Sequence, residues 1–225
     1  MSIEDNLKNI HSNIYEACKV SKRNPNDVTI IAVTKYVSIN TARQALSAGV
    51  HHLGENRDEG FLHKQSEITE NVNWHFIGSV QSRKVKEIIG HIDYLHSLDR
   101  ISLAKEIQKR SDRIIKCFVQ VNVSGEHSKH GMNPGDVQTF VEKLSQYDRI
   151  KVVGLMTMAP HIDDEARLRK VFRELKQLQQ NVQALKLEHA PCTELSMGMS
   201  NDYTIAVEEG ATFIRIGTSL VGKEM

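Results

Sequence analysis

Three short stretches of the chain hold residues whose types suit chemistry. The first is VTIIAVTKYVS, Val28 to Ser38, where an apolar, β-branched run ends in Lys35 rather than in a turn residue. An amine that is desolvated or set beside other cations gives up its proton readily and can condense with a carbonyl to an imine. The plain alternative is a solvated lysine whose stem lies across apolar surface. The second stretch is SMGMSND, with small residues and Ser200 where a helix begins at Asn201 or Asp202. The third is RIGTS, in which Gly217 and Thr218 follow a run that carries Arg215. Backbone N–H groups, hydroxyls and a helix start at such junctions can cradle a phosphate. A tight turn explains either junction alone; the two together favour the phosphate.

Positioning these residues falls to a regular beat of short apolar runs and helical patterns. Strands are expected at Val28–Thr34, His51–Gly54, Trp74–Ile77, Ile92–His96, Ile114–Val121, Lys151–Gly154, Cys192–Ser196 and Thr212–Ile216. Helical patterns lie between them: INTARQALSAG closing on Gly49, DRISLAKEIQKRS, a segment opening at Asn133 and Pro134, DDEARLRKVFRELKQLQQNV, and NDYTIAVEEG closing on Gly210. A further amphipathic helix precedes them all, with Ile3, Leu7, Ile10, Ile14 and Ala17 at three- and four-residue spacing. Strands alternating with helices imply parallel β-α-β units. Eight of them predict an α/β chain folded as a (β/α)₈ TIM-type barrel with an extra N-terminal helix, residues 1–225 forming one domain. A doubly wound open sheet is the alternative. Closure would make the first and eighth strands neighbours, so that Lys35 faces both phosphate junctions, which follow the seventh and eighth strands. A phosphate site plus an imine-forming lysine suggests a sugar phosphate or pyridoxal phosphate. Arg215 would then supply charge to the phosphate or a hydrogen bond to a ring nitrogen.

Composition excludes several other classes. Hydrophobic residues make up 40% and charged residues 25%, with a net charge of +1, so no field gathers nucleic acid or an anionic membrane. No apolar stretch approaches the ~20 residues of a membrane span, and the acid-bearing N-terminus is unlike a secretion signal. Cys18, Cys117 and Cys192 are far apart and form no C-x-x-C pair, which predicts reduced thiols and a cytoplasmic setting. His127 and His130 lack a fixed partner, so no metal site is expected. His161 in HIDDE reads as part of a helix start, and His51 and His52 as strand-start residues that need no function. Met156, Met158, Met197 and Met199 suit a pocket or a core equally.

The blocks AVTKYVS, GENRDE, WHFIGSVQSRK, VNVSGEHSKHG, GLMTMAP and LSMGMSNDYTIAVEEGATFIRIGTSLVG span nearly the whole chain in order. They resemble the pyridoxal phosphate homeostasis (YggS/PROSC) family. The resemblance implies a barrel similar to the N-terminal domain of bacterial alanine racemase, binding pyridoxal 5′-phosphate (PLP) as a covalent aldimine on Lys35. It assigns Ser200, the Met199 backbone, Gly217 and Thr218 to the phosphate and Arg215 to the pyridine nitrogen, with Asn56 and His75 as lining residues. The departures are Arg83, where the family usually has Asn, and Leu220–Val221, where Ile-Phe is common. What is implied is storage and delivery of PLP, with apo PLP-dependent enzymes as the expected recipients; a monomer is expected, without a sequence feature that fixes it. No second base for racemisation is evident, which sets the carrier above a PLP-dependent amino-acid racemase or other PLP enzyme. An aldolase acting on a sugar phosphate through Lys35 is a further alternative. Lys84 and Lys129 are candidates to replace Lys35 in its absence.

Overall fold

The computed structural model describes residues 2–126 and 130–224; the expectations placed on His127 and Lys129 lie outside the described residues. Eight parallel strands close into a barrel in sequence order: β1 Thr29–Val33, β2 His52–Glu55, β3 Asn73–Phe76, β4 Tyr94–Leu98, β5 Ile115–Gln120, β6 Ile150–Met156, β7 Glu194–Met199 and β8 Phe213–Ile216. β1 pairs with both β2 and β8, which closes the ring and rules out the open sheet. The helices are α1 Ile3–Ser21, α2 Ile39–Ser47, α3 Asp58–Glu67, α4 Val85–Ile88, α5 Ile101–Arg110, α6 Val137–Lys143, α7 Glu165–Ala184, α8 Tyr203–Glu208 and α9 Thr218–Val221.

β1 is nearly continuous Ile, Ala and Val because a strand in such a barrel is covered on both faces, by helices outside and by the packed interior inside. The inner face alternates with period two. Ile31, Phe118, Val153, Met156 and Phe213 form the interior cluster. The larger cluster lies between barrel and helices, with Phe61, Leu103, Phe172 and Leu175 among its fully buried members.

Helix α1 begins at a reciprocal cap: the Asp5 N–H donates to Ser2 Oγ at 3.1 Å and the Ser2 N–H to Asp5 Oδ2 at 3.2 Å. Its apolar face, Leu7, Ile10, Ile14, Ala17 and Cys18, is buried. Asn6 Nδ2 donates to the Leu220 carbonyl at 2.9 Å and Asn13 Nδ2 to Tyr203 Oη at 2.8 Å, tying α1 to α9 and α8.

Three short helices, α3, α4 and α9, were not expected from the pattern. The inner face of α3 carries Phe61 and a buried Lys64, so a charge occupies a core position and spoils the apolar period; α4 and α9 have four residues each. Asn133 and Pro134 open a single 3₁₀ turn ahead of α6 rather than the helix itself. Among the described residues no helix is long and apolar enough to cross a membrane.

Candidate functional site

A cavity of about 430 Å³ opens at the C-terminal ends of the strands, the face where barrels of this type assemble their sites. Its wall includes Lys35, Asn56, Met199, Ser200, Arg215, Gly217 and Thr218. His75 is the expected lining residue that does not reach it. His75 is 0% exposed and lies deeper in the interior, between His52 and His96.

Strand β1 ends at Val33, and Lys35 sits two residues further on, in a turn. Its side chain is exposed, not desolvated, with Nζ 4.9 Å from the centre of the Tyr36 ring. Lys35 and Tyr36 therefore meet on one side of the turn, where an extended chain would have sent them to opposite faces. The turn is anchored from below. Lys64 Nζ donates to the Thr34 carbonyl at 2.6 Å and to Glu55 Oε1 at 2.8 Å, and Thr34 Oγ1 donates to Glu55 Oε1 at 2.6 Å. All three side chains are buried. Beyond the turn, Ser38 caps α2 and donates through its N–H and hydroxyl to the Glu224 carboxylate at 2.6 and 3.0 Å. Thr41 Oγ1 donates to the same carboxylate.

The opposite wall is the loop between β7 and α8 together with the start of α9. Asp202 Oδ1 accepts from the Met199 N–H at 2.6 Å, which folds the loop back and uses up that backbone donor. The Ser200 and Thr218 hydroxyls have no protein partner among the described residues, and both line the cavity. Gly198 makes the bend possible. Its φ is +94°, and an added Cβ would stand 2.6 Å from Ala206 Cβ and 3.0 Å from Tyr203 Cα.

Arg215, on the inner face of β8 opposite Ile31 of β1, is buried. Its guanidinium donates from Nη1 to Ser196 Oγ at 2.6 Å and from Nη2 to the Thr157 carbonyl at 2.9 Å. Burial lowers its pKa to about 10, an effect that the charge of Asp202 opposes. Asp202 is itself raised by burial, against the Met199 N–H and the charge of Arg215. Asn56, on the loop after β2, lines the cavity, and its Oδ1 is buried with no hydrogen-bond partner.

Sequence reasoning missed the cavity residues Gln120, His161 and Asp202. Asp164, not His161, accepts from an N–H at the start of α7, leaving His161 on the cavity wall. Inner-face parity along β5 would have pointed to Gln120, two residues after Phe118. Lys84, a suggested substitute for Lys35, is paired with Asp58 at 2.8 Å and Glu87 at 3.1 Å. Among the described residues no group of His, Cys, Asp and Glu is placed to hold a metal ion.

Residues 3–224 match the family model described as alanine racemase, N-terminal domain. The pyridoxal phosphate homeostasis protein of Aquifex aeolicus is 36% identical, over 99% of both chains. The chain is a member of the pyridoxal phosphate homeostasis protein family. The Pseudomonas aeruginosa member is also 36% identical, over 98% of this chain and 95% of that one. PipY from Synechococcus elongatus, a structure with PLP bound, superposes with a TM-score of 0.85 at 32% identity, covering 98% of this chain and 100% of PipY. The residue set of this family member fits PLP on its own chemistry. An exposed lysine, two unclaimed hydroxyls, an unpartnered buried oxygen and a buried cation share one cavity.

Proposed function

We propose that this protein binds pyridoxal 5′-phosphate as an imine on Lys35 and serves intracellular PLP homeostasis by storing and delivering the cofactor. One observation carries the reading: Lys35, Arg215 and the Ser200–Thr218 hydroxyl corner converge on a single cavity, in a chain whose relatives are named for this role. The cofactor brings the aldehyde, and the chain's residues do the rest. Lys35 Nζ supplies the amine, which condenses with the aldehyde carbon and releases water. Ser200 and Thr218 donate to the phosphate, alongside the backbone at Gly217. The Met199 N–H, already held by Asp202, contributes through loop shape more than as a donor. Arg215 is a donor only, so toward a pyridine nitrogen it favours the unprotonated ring and weakens the ring as an electron sink.

An exposed Lys35 suits exchange with solvent and with other proteins. We take the barrel to work as one domain and a monomer in the cytoplasm, handing PLP to apo-enzymes that depend on it. The names of the relatives support homeostasis over racemisation. Absorption spectroscopy followed by borohydride reduction and peptide mapping tests the reading. A visible imine band and a reduced pyridoxyl adduct on Lys35, both absent in Lys35→Ala, are expected. A protein that stays colourless with added PLP overturns it. Light scattering should return a mass near 25.5 kDa, and reactivation of an apo-enzyme by the loaded protein should exceed that by the same total of free PLP.

A further inference from the structure

Below the cavity a row of three histidines crosses the barrel interior. His52 Nδ1 lies 2.8 Å from His75 Nε2, His75 Nδ1 lies 2.8 Å from His96 Nε2, and His96 Nδ1 lies 2.9 Å from Ser196 Oγ. Ser196 Oγ also accepts from Arg215 Nη1, so the row ends on the cavity's buried cation. The rings are clamped. Tyr94 stacks on His75 at 4.3 Å with 4° between planes, and Phe118 on His96 at 4.4 Å with 23°. His75, His96 and Ser196 are fully buried, so each ring nitrogen depends on its neighbour in the row.

The direction of the row follows from one fact about arginine, which has five donors and no acceptor. Ser196 Oγ accepts a hydrogen bond from Arg215 and, among the described residues, meets no acceptor for its own proton except His96 Nδ1, so its O–H goes there. His96 then carries its proton on Nε2 and donates to His75 Nδ1. By the same step His75 carries its proton on Nε2 and donates to His52 Nδ1. The opposite order would send His96 Nδ1–H to a serine oxygen already accepting from Arg215, leaving the serine proton without a partner in the row. We propose that Ser196, His96, His75 and His52 form a one-way hydrogen-bond chain of neutral Nε2–H imidazoles that positions Arg215 as a donor toward the cavity.

None of the four residues lines the cavity, so they are positioning residues acting through Arg215. Arg215 has hydrogen bonds to two neutral oxygens, from Ser196 and Thr157, and none to a carboxylate. A buried cation so placed needs well-oriented dipoles, and each bond in an aligned row polarises the next. Burial, then the neighbouring charges, holds His75 and His96 well below the usual histidine range, in keeping with neutral rings.

The test uses the unloaded protein with ¹⁵N-labelled histidine at pH 7.5, so it stands apart from the PLP reading. Two slowly exchanging ring protons are expected, one bound to His96 Nε2 with scalar coupling across the hydrogen bond to His75 Nδ1, the other bound to His75 Nε2 and coupled to His52 Nδ1. Protons found on His75 Nδ1 or His52 Nδ1, or doubly protonated rings at His75 or His96, overturn the chain. Ser196→Ala should shift the His96 ring resonances and weaken PLP about tenfold, with a displaced absorption maximum for the bound cofactor. Ser196→Thr, which keeps the hydroxyl, should restore both. If Ser196→Ala leaves the His96 resonances in place, Arg215 does not set the direction. If the resonances move while the PLP spectrum and affinity stay as in the wild type, the chain does not position Arg215. Should Ser196→Ala fail to fold, the wild-type couplings still decide the direction.

Discussion

Asn56 shows how one atom can separate the unloaded protein from the loaded one. Its Oδ1 is buried without a partner, and an unmet buried acceptor costs about 1–3 kcal/mol. A ligand that donates to it recovers part of that cost. Asn56→Ala should therefore leave the melting temperature of the unloaded protein unchanged or slightly higher. It should also weaken PLP about 5- to 30-fold, the equivalent of roughly 1–2 kcal/mol. Equilibrium dialysis beside thermal melts reads both; unchanged affinity would place Asn56 outside the ligand's reach. At this scale Lys35 and Arg215 were legible because a long charged side chain at the end of a buried run is anomalous. The histidine row was not. Its links join residues 21 to 100 positions apart in the chain, and a lone histidine in an apolar run looks the same whatever it touches.

At the level of elements, the strand ends hold the site by two tethers. The first is the Glu55–Lys64 pair, with side chains 1% and 8% exposed, set beneath the Lys35 turn. Glu55→Ala leaves a buried ammonium and should cost about 3–5 kcal/mol. The double variant Glu55→Met with Lys64→Met should regain most of it, because it removes both charges together. Denaturant melts of the three proteins decide the matter: a double variant no more stable than Glu55→Ala would mean that the loss comes from packing, not from the stranded charge. The second tether is the bend at Gly198, where an alanine meets both a positive φ and a 2.6 Å approach to Ala206. Gly198→Ala should destabilise the fold by about 1–3 kcal/mol and move Ser200 enough to lower PLP affinity. An alanine variant with wild-type melting and binding would show that the loop has slack. The strands themselves were readable from sequence because parallel strands covered on both faces are apolar almost throughout. Helix α3 was hidden by the same Lys64 that anchors the lysine turn.

For the molecule as a whole, the buried imidazoles make stability depend on pH in a definite direction. His75 and His96 are pushed well below 6.5, chiefly by burial, while in the unfolded chain they titrate near 6.5. Above that pH neither state binds the protons and the histidines contribute no pH dependence. Below it the unfolded chain takes up protons that the folded barrel refuses, so stability falls as pH falls, by about 1.4 kcal/mol per histidine per pH unit. A drop in melting temperature on the order of 5–10 °C is expected between pH 7 and 5.5, and a shallower one in His75→Phe. A flat profile over that range would show that the inner histidines take up protons without cost.

Cys18, Cys117 and Cys192 are each 0% exposed. Burial raises all three thiols, Cys192 to about 12, and a thiol so placed scarcely forms the thiolate that alkylating reagents capture. The wild-type chain is therefore a dark background for thiol-directed dyes. A single cysteine introduced at Tyr36, which is 60% exposed and follows the cavity residue Lys35 in the chain, would take one fluorophore at one known address. On the proposed reading, a dye placed there would lose emission by energy transfer to a visible-absorbing bound cofactor and brighten as it departs, so that its release could be followed in real time.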